Sequence, residues 1–165
     1  MIAQGSPLWE YLSPTQQALA QDGAFLVLDS NRHSDYKPTD YSYLVFPYAK
    51  LYEGFLKQLF LDLDIINKND YMSDRFRIGK VMSPNLMNRL GRRSAYGQLA
   101  QRFGESLALG IWRAWIQGRN LVFHYFPHNY RALSRADATK VIDMLVEAME
   151  MAVGETGVAP RRSDV

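Results

Sequence analysis

The 165-residue chain contains no cysteine. That excludes a disulfide framework, a thiolate zinc site and a cysteine nucleophile together. No stretch approaches the roughly 20 uncharged apolar residues that cross a bilayer. The opening Met1-Ile2-Ala3-Gln4-Gly5-Ser6-Pro7 has no basic segment leading into an apolar one, so no signal peptide is expected and the expected location is cytoplasmic. Internal repeats and low-complexity segments are absent. So are a glycine-rich phosphate loop, a Ser-His-Asp set and a paired-carboxylate site. Hydrophobic residues make up 47% of the chain and aromatics 13%, which leaves disorder out of consideration for most of it and provides for one packed domain.

Acidic residues are nearly missing from one segment. Residues 75–135 hold 11 Lys/Arg against a single acid, Glu105. Residues 1–74 hold 5 against 10, and residues 136–165 hold 3 against 6. The net charge of +2 therefore hides a basic middle between acidic ends. Two readings follow. The basic segment is the electrostatic footprint of a phosphate or nucleic-acid binder, or it is a face that pairs with the acidic segments of the same chain.

Local patterning is helical. Ser6-Pro7 and Ser13-Pro14 each place a cap before proline at the first helical position. The second predicts a short helix from Pro14 to Ala20, ended by Asp22-Gly23. Phe25-Leu26-Val27-Leu28 fits a buried strand or a helical turn, and periodicity does not separate the two. A helix over about 40–66 follows, capped by Thr39 or Asp40. Its Tyr43, Leu44, Pro47, Leu51, Phe55, Leu59 and Leu63 recur at three- and four-residue steps. Pro47 is expected to kink or restart it.

A connector over 71–82 leads to a helix opened by Ser83-Pro84-Asn85, a break at Gly91-Arg92-Arg93-Ser94 and a long helix over about 94–117. Gly97, Gly104 and Gly110 weaken that helix in isolation and are candidates for close helix–helix approach. Gly118 is read as an interruption, with a further helix from Arg119 to Phe126 stopped by Pro127. Ser134 and Asp137 form a variant capping box for the last helix, about 135–153, which Gly154 ends. The expected architecture is an all-α helical bundle of four to five main helices. It divides into an N-terminal helical and loop extension over 1–38, the bundle over 39–153, and a tail over 154–165 that includes Pro160-Arg161-Arg162.

The stretch with most chemical content is Gly118-Arg119-Asn120-Leu121-Val122-Phe123-His124-Tyr125. On an ideal helix Arg119 and His124 are about 140° apart, whereas Asn120 and His124 share a face. An imidazole for proton transfer beside a fixed cation suits RNA cleavage by the neighbouring 2′-OH. The alternative is a hydrogen-bonded core histidine and a surface arginine at a helix end. His128 stands four residues beyond His124, but Pro127 between them breaks the helix that a metal pair needs, and no metal or other cofactor is expected. Arg75, Arg77, Lys80, Arg89, Arg92 and Arg93 are candidates for an RNA path, with Tyr96, Trp112 and Tyr130 as candidate base-stacking aromatics. For any one of these aromatics, core packing is the stronger reading.

Arg119-Asn120-x-x-x-His124, after a long helix in an all-α chain, resembles the Arg-Asn-x3-His motif of the HEPN superfamily of bacterial and archaeal ribonucleases. Pro47-Tyr48-Ala49-Lys50-Leu51-Tyr52-Glu53-Gly54-Phe55-Leu56-Lys57 is similar to the acidic helix of the HEPN domain in RNase LS-type toxins. There a basic residue and a glutamate three positions apart join the Arg/His pair. The resemblance covers about residues 38–153; the full toxins carry further N-terminal domains. It implies a metal-independent endoribonuclease that leaves a 2′,3′-cyclic phosphate, with His124 moving protons, Arg119 on the phosphate, Asn120 orienting, and Glu53 and Lys50 in support. Lys50 stands where the family is expected to have arginine, keeping the charge without the bidentate fork.

The resemblance also implies a homodimer across the Arg119/His124 cleft and a role as a toxin or phage-defence effector, held silent by an antitoxin or other inhibitor protein. In one HEPN branch a tyrosine two positions after the motif histidine is modified by nucleotide transfer. Phe126 occupies that position here, beside Tyr125, which argues against such control. The rivals are a catalytically silent HEPN-like module binding RNA or a protein partner, and a purely structural dimeric bundle. On the residues alone, Lys50 and Glu53 are equally readable as an ordinary i,i+3 pair on a solvated helix.

Overall fold

A computed structural model describes residues 1–33, 35–124 and 131–159. The fold is all-α, with no strand among the described residues. Its helices are α1 (Pro7–Tyr11), α2 (Pro14–Arg32), α3 (Ser42–Asp62), α4 (Lys68–Met72), α5 (Ile78–Val81), α6 (Met87–Leu90), α7 (Ala95–Phe103), α8 (Glu105–Trp115) and α9 (Arg135–Thr156). Tighter turns at Pro84–Leu86 and Gly91–Arg93 join the short helices, and a π-helical turn spans Ile116–Asn120. No helix of the described residues is long and apolar enough to cross a membrane. The proposed end of a helix at Phe126–Pro127, the residues His128 and Tyr130, and the tail from Pro160 onward lie outside the described residues.

The bundle is built on α3. Leu44, Val45, Tyr48, Leu51, Tyr52, Phe55, Leu56, Leu59 and Phe60 are fully buried along it. They pack against α2 on one side and α9 on another, and α8 closes against α7 and α9. The Tyr52 hydroxyl donates to the Ile111 carbonyl at 2.9 Å, joining α3 to α8 inside the core. Leu8, Tyr11 and Leu12 belong to the same hydrophobic cluster, so residues 1–38 contribute to the core shared with 39–153. The Tyr11 hydroxyl donates to Asp62 at 2.7 Å, and Arg102 donates to the Leu63 carbonyl at 2.6 Å, so both hold the end of α3.

Several sequence signals are overridden by packing. Asp22-Gly23 does not end α2, which begins with the Ser13–Gln16 capping box and runs on to Arg32. Gly23 lies against the Tyr48 ring, where a Cβ would overlap the aromatic carbons. The glycine is there for close approach of α2 to α3. Phe25 to Leu28 are thus helical, and Phe25 and Leu28 face outward. Pro47 sits inside a continuous α3 rather than restarting it; tertiary burial of the helix outweighs one lost hydrogen bond.

Asp40 is not the residue flanking α3. Its carboxylate instead accepts from the Ser42 amide and hydroxyl at 2.9 and 2.7 Å and from the Leu133 amide at 3.0 Å. Burial raises its pKa, but these hydrogen bonds outweigh that and hold it below its ordinary value. The helix expected over 94–117 is divided at Gly104, whose φ of 100° no β-carbon-bearing residue adopts readily. The last helix passes through Gly154 and ends at Gly157, in the left-handed conformation of a C-terminal cap.

Two stability predictions follow from these contacts. The Tyr48 hydroxyl is buried without a hydrogen-bond partner among the described residues, and burial, with the Asp143 charge nearby, pushes its pKa up from 10.0 to about 12. Tyr48→Phe is expected to leave stability unchanged or raise it by about 1 kcal/mol. Above pH 10 the unfolded chain releases this proton while the native state keeps it, so stability falls as pH rises, and the phenylalanine variant loses less. Urea unfolding at pH 7 and about pH 11 checks both; a clear loss in Tyr48→Phe at pH 7 contradicts the first, and an equal fall of the two proteins on going to the higher pH contradicts the second. Asp40→Ala removes three hydrogen bonds to one carboxylate and is expected to cost about 2 kcal/mol in the same assay.

Candidate active site

The bundle leaves one stripe of α3 uncovered. Phe46, Lys50, Glu53 and Lys57 follow at steps of four, three and four, opposite the buried Tyr48, Tyr52 and Phe55. The segment after α8 faces this stripe. Gly118 does not interrupt the helix there. It widens into the π turn, in which the Leu121 amide donates to the Ile116 carbonyl at 2.9 Å. Gly118 is buried against Leu145 of α9, and a Cβ would lie 2.5 Å from Leu145 Cδ2. Only glycine lets this turn approach α9 so closely. Leu121 to Phe123 then form a turn, so the expected helix from Arg119 to Phe126 is not formed over its described part. The shared helical face of Asn120 and His124 falls with it.

Arg119 reaches α3 from this turn. Its Nε donates to Glu53 Oε2 at 3.2 Å, 66 residues away in sequence. The guanidinium also lies over the Trp115 ring, with Cζ 5.6 Å from the centroid. Four residues apart, Trp115 and Arg119 sit one above the other on the same side of the chain. Stacking and the Nε bond fix the guanidinium plane while using one of its donors. The pair is open to solvent, with side-chain exposures of 37% and 36%.

Phe46, Ala49, Lys50, Glu53, Arg119 and Phe123 line a single cleft of about 340 Å³. Glu53 and Lys50, readable in sequence as an i,i+3 ion pair, do not form one among the described residues; Glu53 turns to Arg119 instead. Lys50 is an exposed cation on the cleft wall. The arrangement has two positive groups and one carboxylate on a concave surface with aromatic edges. It offers an anionic oxygen a cation held in fixed orientation, with a second cation beside it.

The remaining candidate residues are distributed differently. Asn120 ends the π turn, half-buried, and is not among the cleft-lining residues. His124 is exposed, one residue beyond Phe123, where the described segment ends. Arg75, Arg77, Lys80, Arg89, Arg92 and Arg93 are all exposed. None of these six makes an ion pair among the described residues. Arg92 and Arg93 line a separate cavity of about 460 Å³ with Asp64, Asn67 and Asp70, away from Arg119. Tyr96 is 5% exposed and belongs to the core, not to a stacking surface.

Two residues were not singled out from sequence. Phe46 and Phe123, 55% and 37% exposed, meet edge to face across the cleft mouth with centroids 5.8 Å apart. The available signal was that Phe46 falls in register with Lys50 and Glu53, off the buried face of α3. Neither models of known protein families, nor curated proteins, nor solved structures match this chain.

Because both side chains are more than a third exposed, the Arg119–Glu53 pair contributes little to folding. A double-mutant cycle on Glu53→Gln and Arg119→Gln, read by urea unfolding, is expected to give a coupling of about 0.2–1 kcal/mol. A coupling several times larger makes the pair a structural strut rather than a site.

Proposed function

We propose that this chain is a metal-independent endoribonuclease of the HEPN type. The 2′-OH of the RNA attacks the adjacent phosphorus, the bond from phosphorus to the 5′-oxygen breaks, and a 2′,3′-cyclic phosphate and a 5′-hydroxyl remain. His124 is the proton-transfer residue, taking the 2′-OH proton or supplying one to the leaving oxygen. Arg119 binds the phosphate and the charge that builds on the phosphorane. Glu53 aims Arg119 through Nε and leaves its terminal nitrogens for the phosphate, while Lys50 adds positive charge on the other wall. Asn120 orients the turn that carries the motif.

The reading is supported above all by one observation: Lys50, Glu53 and Arg119, drawn from two distant segments, line one cleft and include a direct Arg119–Glu53 contact. The π turn at the motif adds support, since such turns are frequent at functional sites. The exposed Phe46 and Phe123 at the mouth support a second copy of the chain closing over the cleft, as the HEPN resemblance implies. Under this reading the protein is a toxin or phage-defence effector, and a cognate antitoxin or inhibitor protein silences it by covering the same cleft.

The test is cleavage of a mixed-sequence single-stranded RNA in excess EDTA, with sedimentation to give the oligomeric state. Wild type is expected to cut as a dimer and to leave cyclic phosphate ends. His124→Ala and Arg119→Ala are each expected to lower the rate by about 100-fold or more while retaining the wild-type circular dichroism spectrum. Cleavage that survives both substitutions assigns the activity elsewhere. RNA binding without turnover makes the chain a silent binding module.

A further inference from the structure

The Arg119 cleft does not end at Glu53. A second groove of about 680 Å³ continues along α3 and shares Lys50 and Glu53 with the cleft. Lys57, Gly54 and Gln16 line its far part, and Tyr71, Met72 and Asp74 also border it. Lys50 and Lys57 are seven residues apart, two helical turns along one face, or about 10 Å of rise. Neither lysine makes an ion pair among the described residues. Of the two acids bordering the groove, Glu53 pairs with Arg119, whereas the exposed Asp74 makes no ion pair among the described residues.

Gln16 adds a directed donor. It is only 9% exposed, and its Oε1 accepts from the Ser13 amide at 2.9 Å as half of the capping box of α2. That bond fixes the side-chain amide, and its Nε2 has no acceptor among the described residues. Gly54 leaves the amide uncovered; a Cβ there would stand 3.3 Å from Nε2. An amide held by its oxygen, with its nitrogen open to a groove that carries two lysines free of ion pairs, offers donors suited to a phosphate. Tyr71 supplies an aromatic surface on the same groove.

We infer that this groove is a second subsite for single-stranded RNA, which holds a backbone phosphate with Lys57 and Gln16 and leads the strand from the Arg119 cleft toward Arg75 and Arg77. It rests on the ribonuclease reading for the identity of the ligand and extends it to residues outside the reacting centre. Strand extension beyond the scissile phosphate then strengthens binding, and the cost of losing the groove falls on KM rather than kcat.

The experiment uses a fluorescent ten-nucleotide 2′-O-methyl oligouridylate, whose blocked hydroxyl prevents cleavage, with affinity read by anisotropy over a salt series. Lys57→Ala is expected to weaken binding roughly tenfold and to make the slope of log affinity against log salt shallower by about 0.7, the value for one lost phosphate contact. Lys57→Arg restores the slope. Gln16→Glu keeps an oxygen for the Ser13 amide, so the cap survives, yet it replaces the donor and weakens binding to a similar degree. Lys57→Ala that matches wild type in affinity and slope overturns the inference, as does a wild type that does not bind the probe. Loss of binding in these variants, with no cleavage of ordinary RNA by wild type, upholds the groove and removes the nuclease. Cleavage of a ten-nucleotide RNA with unchanged KM in Lys57→Ala does the reverse.

Discussion

Burial of α3 is the constraint on which the other elements depend. Twelve of its 21 residues are buried, and these include large side chains facing α2, α8 and α9. A helix so enclosed has little freedom to rotate or slide, because interiors are close-packed and a shift of any one ring is transmitted to its neighbours. Its single uncovered stripe is therefore fixed in direction. Phe46, Lys50, Glu53, Gly54 and Lys57 are displayed by the same packing that forms the core, so core and candidate site are opposite faces of one helix.

The second element of the site is held by a different means. The turn carrying Arg119 is pinned where Gly118 meets Leu145, and the π geometry gives the chain its extra width at that point. Arg119 is then set by Trp115 beneath it and Glu53 across from it. Such a side chain has already lost much of its rotamer freedom, which lowers the ordering cost of any contact that it makes. The exposed pair contributes little to stability, so its main physical effect is orientation.

Charge completes the arrangement. The acidic N-terminal segment lends Glu53 to the basic middle, yet Arg75, Arg77, Lys80, Arg89, Arg92 and Arg93 are exposed and make no ion pair among the described residues. A surface with that many unpaired cations attracts polyanions over distances of about a Debye length, near 10 Å at moderate salt.

Much of this was fixed locally. Serine caps before Pro7 and Pro14, the three- and four-residue recurrence in α3, and the Ser134–Asp137 cap each specify a helix from a few neighbouring residues, and the structure has helices there. Charge segregation was likewise legible, since it depends on residue type alone, and Arg119 stood out by its spacing to His124; Lys50 and Glu53 were singled out through the HEPN resemblance, their spacing alone giving an ordinary i,i+3 pair. Tertiary structure decided what the glycines do. By propensity Gly23 stops a helix, Gly118 breaks one and Gly154 ends one; in the fold Gly23 admits the Tyr48 ring, Gly118 admits Leu145, and Gly154 lies within α9. Missing side chains are read by whichever element packs against them, and a one-dimensional pattern does not contain that neighbour. The same holds for Glu53, which turns from Lys50 on its own helix to Arg119 on another: partner choice follows from distances that only the packed helices set.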